Sequence, residues 1–304
     1  MKESNFIWMN GATIPWKESN THFLSHALHY GSAVFEGIRC YNTKEGPAIF
    51  RLDEHIARLF NSAKIFGMQI PYTQEQIISA TKEMIAVNKL NSGYIRPLVY
   101  YSEGGLGFDV TNQKVDVGVA AWEWGAMLGA KSVEEGISVK ISPFFRPSSD
   151  CMPVNAKVSG NYANSIMAKM DAIKDGYTDV IMTDKYGFVA ECSAENFFAV
   201  KDNVLYTPNI SNCLDGITRK SIIAIAKDNG YNVVEENITP KKVFTMDECF
   251  ACGTAAEIVP IISIDKKIIG TGTRGKVTHF LQQEYQKAIH GENEKYSNWL
   301  TLVK

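Results

Sequence analysis

Lys157 stands in the run Pro153-Val-Asn-Ala-Lys-Val-Ser-Gly-Asn-Tyr162, flanked by Ala156, Val158, Ser159 and Gly160, small residues that leave room for a flat group beside one amine. Such an amine is either a solvated strand end or a catalytic group. Two carboxylates follow in Glu191-Cys-Ser-Ala-Glu195-Asn196-Phe-Phe, and chemistry alone does not choose between them as partner for a positive group. Further on, Leu214-Asp-Gly216-Ile-Thr218-Arg219 opens a helix. Its exposed amides either bind an anion or simply cap a helix. Arg58 and Arg96 are the other candidates. Arg58 shares the polar side of a helix with His55 and Ser62, so it is either solvated or an anion clamp. Arg96 shares a strand face with Tyr94, Leu98 and Tyr100, where a guanidinium needs a counter-charge from either an internal carboxylate or a bound anion.

The elements that must position these groups are readable from periodicity and turn residues. Asn10-Gly11 turns a hairpin within 5–16. Asp53 is placed to cap a helix with Ile56, Leu59, Phe60, Ala63 and Phe66 on its apolar side, ended by Gly67. Thr73 and Gln76 form a capping box for a second helix reaching about Leu90, and a strand follows over 94–101. Residues 125–132 are small and flexible and read as a connection. Tyr162, Ile166, Met170 and Ile173 mark a helix that stops at Gly176. Strands are expected over 179–183 and 188–192, a hairpin at Asp202-Asn203, a helix from Thr218 to Gly230, strands near Cys249 and over 258–264, and a last helix over 276–289.

Composition narrows the function. The chain has 304 residues and is 45% hydrophobic, enough for two domains with a well-buried core. Its 31 basic and 33 acidic residues lack the basic excess of a nucleic-acid binder. No apolar run suits a membrane span and the first 25 residues lack a signal-peptide core, so a cytoplasmic location is expected. The six cysteines do not make a disulfide framework. Cys249-Phe-Ala-Cys252 could be redox active or half a zinc site, but no second pair completes it, and two buried thiols is the simpler reading. His22, His26 and His29 fall at helical intervals, yet no nearby carboxylate is spaced to complete a metal site.

Glu191, Asn196-Phe197-Phe198, Thr207 and Gly216-Ile-Thr218-Arg219 together resemble the signature of the class IV aminotransferases, which use pyridoxal 5'-phosphate. Four further runs are similar to the branched-chain amino acid aminotransferases of that class: Ser25-His-Ala-Leu-His-Tyr-Gly31, Val34-Phe-Glu-Gly-Ile-Arg39, Tyr94-Ile-Arg96-Pro97 and Gly253-Thr-Ala-Ala-Glu257. The likeness spans nearly the whole chain. It implies an α/β (α+β) fold of type IV, like that of D-amino-acid aminotransferase, with the active site between two domains: a small one over 1–124, a loop over 125–134, and a large one over 135–304 that carries the lysine.

The resemblance also implies roles. Lys157 bonds the coenzyme and carries a proton, and Glu191 rather than Glu195 meets its ring nitrogen. Arg58, Gly216, Ile217, Thr218, Gly253 and Thr254 hold its phosphate region, and Tyr162 its phenolic oxygen. Tyr30, Phe35, Gly37, Tyr94, Arg96, Phe108, Trp124, Met127, Thr254 and Ala255 line the substrate site, some of them from a second copy in a homodimer or higher assembly. The implied substrates are L-leucine, L-isoleucine, L-valine, glutamate and the matching 2-oxo acids. D-amino-acid transaminase, R-selective amine transaminase and aminodeoxychorismate lyase share the fold, and a non-catalytic coenzyme carrier is the alternative from another class. Three positions depart from the common pattern. Asp215 replaces a proline beside the expected phosphate, Met127 stands where tyrosine is common, and Phe108 is larger than the usual aliphatic residue.

Overall fold

The computed structural model describes residues 2–125 and 129–303. Met127 therefore lies outside the described residues. The chain separates into two compact units, one of 1–125, 156–161 and 287–304, the other of 126–155 and 162–286.

In the first unit the described residues form an eight-stranded sheet. Its order runs Leu300–Leu302, Gly46–Phe50, Ile38–Thr43, Gly93–Tyr101, Val115–Trp122, Phe6–Met9, Ala12–Pro15, with Ala33–Phe35 also pairing on Gly93–Tyr101. The expected hairpin is present, and Asn10 and Gly11 take the positive φ values (49° and 92°) that its two-residue turn requires. Helices Leu52–Ile65 and Gln74–Val87 follow the sheet strands. Thr73 and Gln76 form the expected capping box. Asp53 does not cap: the N-cap is Arg51, in the left-handed region, and Asp53 sits inside the first turn, where its charge suits the helix dipole.

The expected contiguous division near residue 124, with Lys157 in the 135–304 stretch, differs from the observed units. The segment 156–161 is bound to the first unit by an antiparallel bridge from Val158 to Val34 and by the Phe35 amide donating to the Lys157 carbonyl at 3.1 Å. Gly160 donates to the Gly31 carbonyl at 3.1 Å. A Cβ on Gly31 would lie 2.8 Å from the Gly160 Cα, so this crossing demands glycine there. The C-terminal strand Leu300–Leu302 likewise returns to pair with Gly46–Phe50.

The second unit is built on a nine-stranded sheet among the described residues, ordered Val189–Cys192, Asp179–Thr183, Ile137–Ile141, Glu257–Ile264, Glu248–Gly253, Asn196–Lys201, Val204–Pro208, Val233–Glu236, with Lys267–Ile268 on Glu257–Ile264. Its core gathers Phe197, Val259, Ile238, Ile264 and Ile181, all fully buried. Helices Tyr162–Lys174, Ile217–Asp228 and Lys276–Ile289 match expectation to within a residue or two. Residues 130–135, read as part of a flexible connection, form a short helix.

The 162–174 helix packs differently from its apolar pattern. Ser165, Ala168 and Ala172 face inward, while Ile166, Met170 and Ile173 are exposed. Small residues let the helix lie close to the sheet, which moves the large ones to the outer face.

Candidate active site

In the first unit one face of the Leu52–Ile65 helix carries His55, Arg58 and Ser62, at spacings of three and four that stack them in a stripe. This stripe is not solvated. His55 and Ser62 are buried, and the Arg58 side chain is only 13% exposed. The Ser62 hydroxyl accepts the Lys157 backbone N–H at 3.0 Å, so the helix that carries Arg58 also fixes the lysine. The Lys157 Nζ lies 5.0 Å from the centre of the Phe35 ring. Ala156 and Val158 are buried, so the small neighbours of Lys157 serve packing as well as clearance.

Arg58 is held by Glu36, which is fully buried and which sequence reasoning assigned no role. Arg58 Nε donates to Glu36 Oε1 at 2.6 Å and Nη2 to Oε2 at 2.9 Å, while His55 Nδ1 lies 2.7 Å from Oε2. Burial opposes the Glu36 charge, but Arg58 and His55 more than offset it and keep the carboxyl well below the usual range. Burial likewise pushes His55 down, with Glu36 opposing. A buried bidentate pair fixes the guanidinium plane. The only signal in the sequence was the position of Glu36 inside the quoted 34–39 run.

Arg96 forms no ion pair among the described residues. Its Nη2 donates to the Tyr94 hydroxyl at 3.1 Å, its guanidinium stacks 4.7 Å from the Phe35 ring centre, and its Nε is buried without a hydrogen-bond partner among the described residues. Of the two readings left open, this excludes the internal salt bridge within that set. Tyr94 packs edge-on against Trp124 at 4.6 Å. It also stands so close to Gly37 that a Cβ there would come within 2.0 Å of its hydroxyl. Thus Lys157, Phe35, Arg96, Tyr94, Gly37 and Trp124 form one contiguous group. Tyr30 and Phe108 form another: their rings lie 5.2 Å apart, the Tyr30 hydroxyl donates to the Leu106 carbonyl, and Phe108 is 83% exposed. His26 joins that group through Ser32 at 2.7 Å and the Gly107 carbonyl at 3.1 Å.

In the second unit Glu191 sits at a register shift in its strand, a device that re-aims a side chain. Its Oε1 lies 2.7 Å from Arg146 Nη2, and its Oε2 is 3.4 Å from both Asn196 Nδ2 and the Leu214 amide. Asn196 also donates to the Leu214 carbonyl at 2.9 Å, and its Oδ1 would meet a Cβ on Gly216 at 1.9 Å, so residue 216 must be glycine. Gly216 is the N-cap of the Ile217–Asp228 helix, one residue earlier than expected. No side chain caps that end, although Ile217 and Thr218 are buried. A buried, uncapped helix start calls for an acceptor, and a phosphate fits the chemistry of these donors. Asp215 turns to Lys220, 2.5 Å away, which offsets the charge expected to oppose a phosphate.

Glu195 has a separate environment beside Asp179 and Lys169. Thr207 and Arg219 are structural: Arg219 Nε donates to the Thr207 hydroxyl at 3.2 Å and Nη2 to Glu235 at 2.7 Å, tying helix to strand. Gly253 ends its strand, Thr254 and Ala255 form the turn after it, and Tyr162 begins its helix, half-buried. Cys249 and Cys252 are both buried and free, three residues apart on one strand and hence on opposite faces, which separates the thiols. Burial pushes both up, making them poor nucleophiles.

Residues 33–264 match the Amino-transferase class IV family. The chain belongs to that family, and the structure has its fold. Within it, the likeness is to the branched-chain-amino-acid aminotransferases. The chain is 45% identical to that enzyme of Pseudomonas aeruginosa over 298 residues, 98% of this chain and 97% of the relative. The crystal structure of the Escherichia coli branched-chain amino acid aminotransferase superposes with a TM-score of 0.97 at 40% identity, covering 99% of this chain and all of the other. The T.th. branched-chain amino acid aminotransferase with pyridoxamine 5'-phosphate also gives 0.97, at 46% identity over the full length of both chains.

Proposed function

We propose that this chain is a pyridoxal 5'-phosphate-dependent transaminase that exchanges the amino group between L-leucine, L-isoleucine or L-valine and 2-oxoglutarate. The observation that carries this reading is the shared helix face on which Glu36 orients Arg58 and Ser62 fixes the backbone of Lys157. The coenzyme, when bound, supplies an electron-withdrawing ring that stabilises negative charge on the substrate α-carbon. The chain supplies placement and proton transfer. Lys157 would hold the coenzyme through its amine and would serve as the base that takes up and returns the substrate α-carbon proton. Glu191 would meet the ring nitrogen, while Arg58 and the amides of Ile217 and Thr218 would hold the phosphate. Arg96, with its buried unpartnered Nε, takes a substrate carboxylate, and Phe35, Tyr94 and Trp124 give the apolar wall that suits a branched side chain.

Self-association is supported by large apolar side chains left exposed: Ile166, Met167, Met170 and Ile173 in the second unit, and Leu28, Tyr30 and Phe108 in the first. A second copy is the natural cover. A cytoplasmic setting is supported by six free cysteines. No helix among the described residues is long and apolar enough to cross a membrane.

Borohydride reduction of the coenzyme-loaded protein followed by peptide mapping tests the assignment, together with a panel of L- and D-amino acids and R-amines. Label on the Lys157 peptide and turnover of L-leucine are expected. Label on another lysine overturns the site, preference for the D-series or for R-amines overturns the substrate class, and coenzyme binding without any spectral response to an amino donor overturns the enzyme.

A further inference from the structure

Arg146 belongs to none of the motifs above, yet it is buried and aimed at Glu191. Nη2 lies 2.7 Å from Glu191 Oε1 and Nη1 donates to the Ser165 hydroxyl at 3.0 Å. Nε is buried without a hydrogen-bond partner among the described residues. The pair is therefore nearly dry, and the arginine is oriented from two sides. A guanidinium stays charged at any working pH. Beside it the anionic form of a carboxylate is favoured over the acid. The contacts on Oε2 are longer, 3.4 Å each, so that oxygen is held less firmly than Oε1.

We propose that Arg146 is a positioning residue that keeps Glu191 a carboxylate and thereby keeps the shared proton on the ring nitrogen of the coenzyme. The inference rests on the reading that Glu191 faces that nitrogen. In a desolvated pair of a pyridine and a carboxylic acid, the proton moves to the oxygen unless something stabilises the resulting charges, because a neutral pair escapes the cost of burying them. Arg146 supplies that stabilisation from the side of Oε1. The proton is either on nitrogen or on Glu191, so no other group gains or loses one. A ring without its proton withdraws electrons less strongly, so a guanidinium acting through Glu191 governs the power of the site. Glu195 cannot substitute, since it is surrounded by Asp179 and Lys169 instead.

The test binds coenzyme labelled with the heavy isotope at its ring nitrogen and reads that nucleus by magnetic resonance in wild type, Arg146→Gln, Arg146→Lys and Glu191→Gln. A protonated-ring signal is expected in wild type, moving toward neutral pyridine in Arg146→Gln. In Arg146→Lys, where a single ammonium cannot reach Ser165 and Glu191 in the same fork, an intermediate position is expected, and this variant carries the test if Arg146→Gln does not fold. A signal unmoved in the Arg146 variants but moved in Glu191→Gln overturns the proposal, as does a loss of thermal stability with no change in the signal. A signal unmoved in Glu191→Gln overturns the assignment of Glu191 itself, and the proposal with it.

Discussion

Glu195 lies four residues beyond Glu191, and the two carboxyls have opposite surroundings. Glu195 Oε2 accepts the Ala194 amide at 3.0 Å, and its carboxyl meets Asp179, whose own partner is Lys169 at 3.3 Å. Burial first, and then the Asp179 charge, push Glu195 from 4.5 up to about 8. At neutral pH it is therefore mostly the neutral acid and not a counter-ion. Because the folded value is raised, its contribution to stability is full below about 4.5 and is lost as pH rises through about 8. Glutamine keeps the Ala194 contact through its oxygen and has no proton to lose. Urea unfolding of the coenzyme-free protein at a series of pH values should therefore show Glu195→Gln more stable than wild type by roughly 2–4 kcal/mol at pH 8, shrinking to under about 1 kcal/mol at pH 5. A difference that does not change with pH would mean that Glu195 is ionised in the fold.

Two helices show what sequence pattern does and does not reveal. Their existence and limits were legible, because capping, periodicity and glycine stops are local. Where each face points was not. In Leu52–Ile65 the polar stripe His55, Arg58, Ser62 reads as solvated, yet it is buried against Glu36 and the Lys157 segment, which arrive from distant parts of the chain. In Tyr162–Lys174 the large apolar residues mark the helix, yet Ser165, Ala168 and Ala172 are the buried ones. The residues of the signature were likewise legible as a set, whereas Glu36 and Arg146, which hold Arg58 and Glu191, carry no spacing signal. The helix stripe has a measurable consequence. Ser62→Ala removes the acceptor of a partly buried amide and is expected to cost about 1–2 kcal/mol in denaturant unfolding. It should also speed coenzyme release, since the lysine backbone loses its anchor. Asn61→Ala, on the exposed face of the same helix, should change neither. Equal effects at both positions would show that the helix, and not the Ser62 contact, is responsible.

At the scale of the whole molecule, exposed apolar surface is the feature that a single chain does not explain. Ile166 is 62% exposed, Met170 49% and Ile173 48%, on one face of a 13-residue helix whose opposite face is anchored to the sheet. Burying each such side chain is worth about 1–2 kcal/mol, and a soluble monomer seldom leaves several of them together in water. The helix is ordered by its inner alanines, so the outer residues contribute little to folding and are available for association. Replacing Ile166 and Met170 by glutamate together should leave the chain folded, since neither packs in its own core, while placing two charges inside any interface they form. Sedimentation velocity is expected to show wild type as an oligomer and the double variant shifted to a smaller species, with the far-ultraviolet dichroism unchanged. If wild type already sediments as a single chain, this face has no second copy to cover it. If the double variant assembles as wild type does, the association runs through another surface, and the Tyr30–Phe108 group of the first unit is the next to charge.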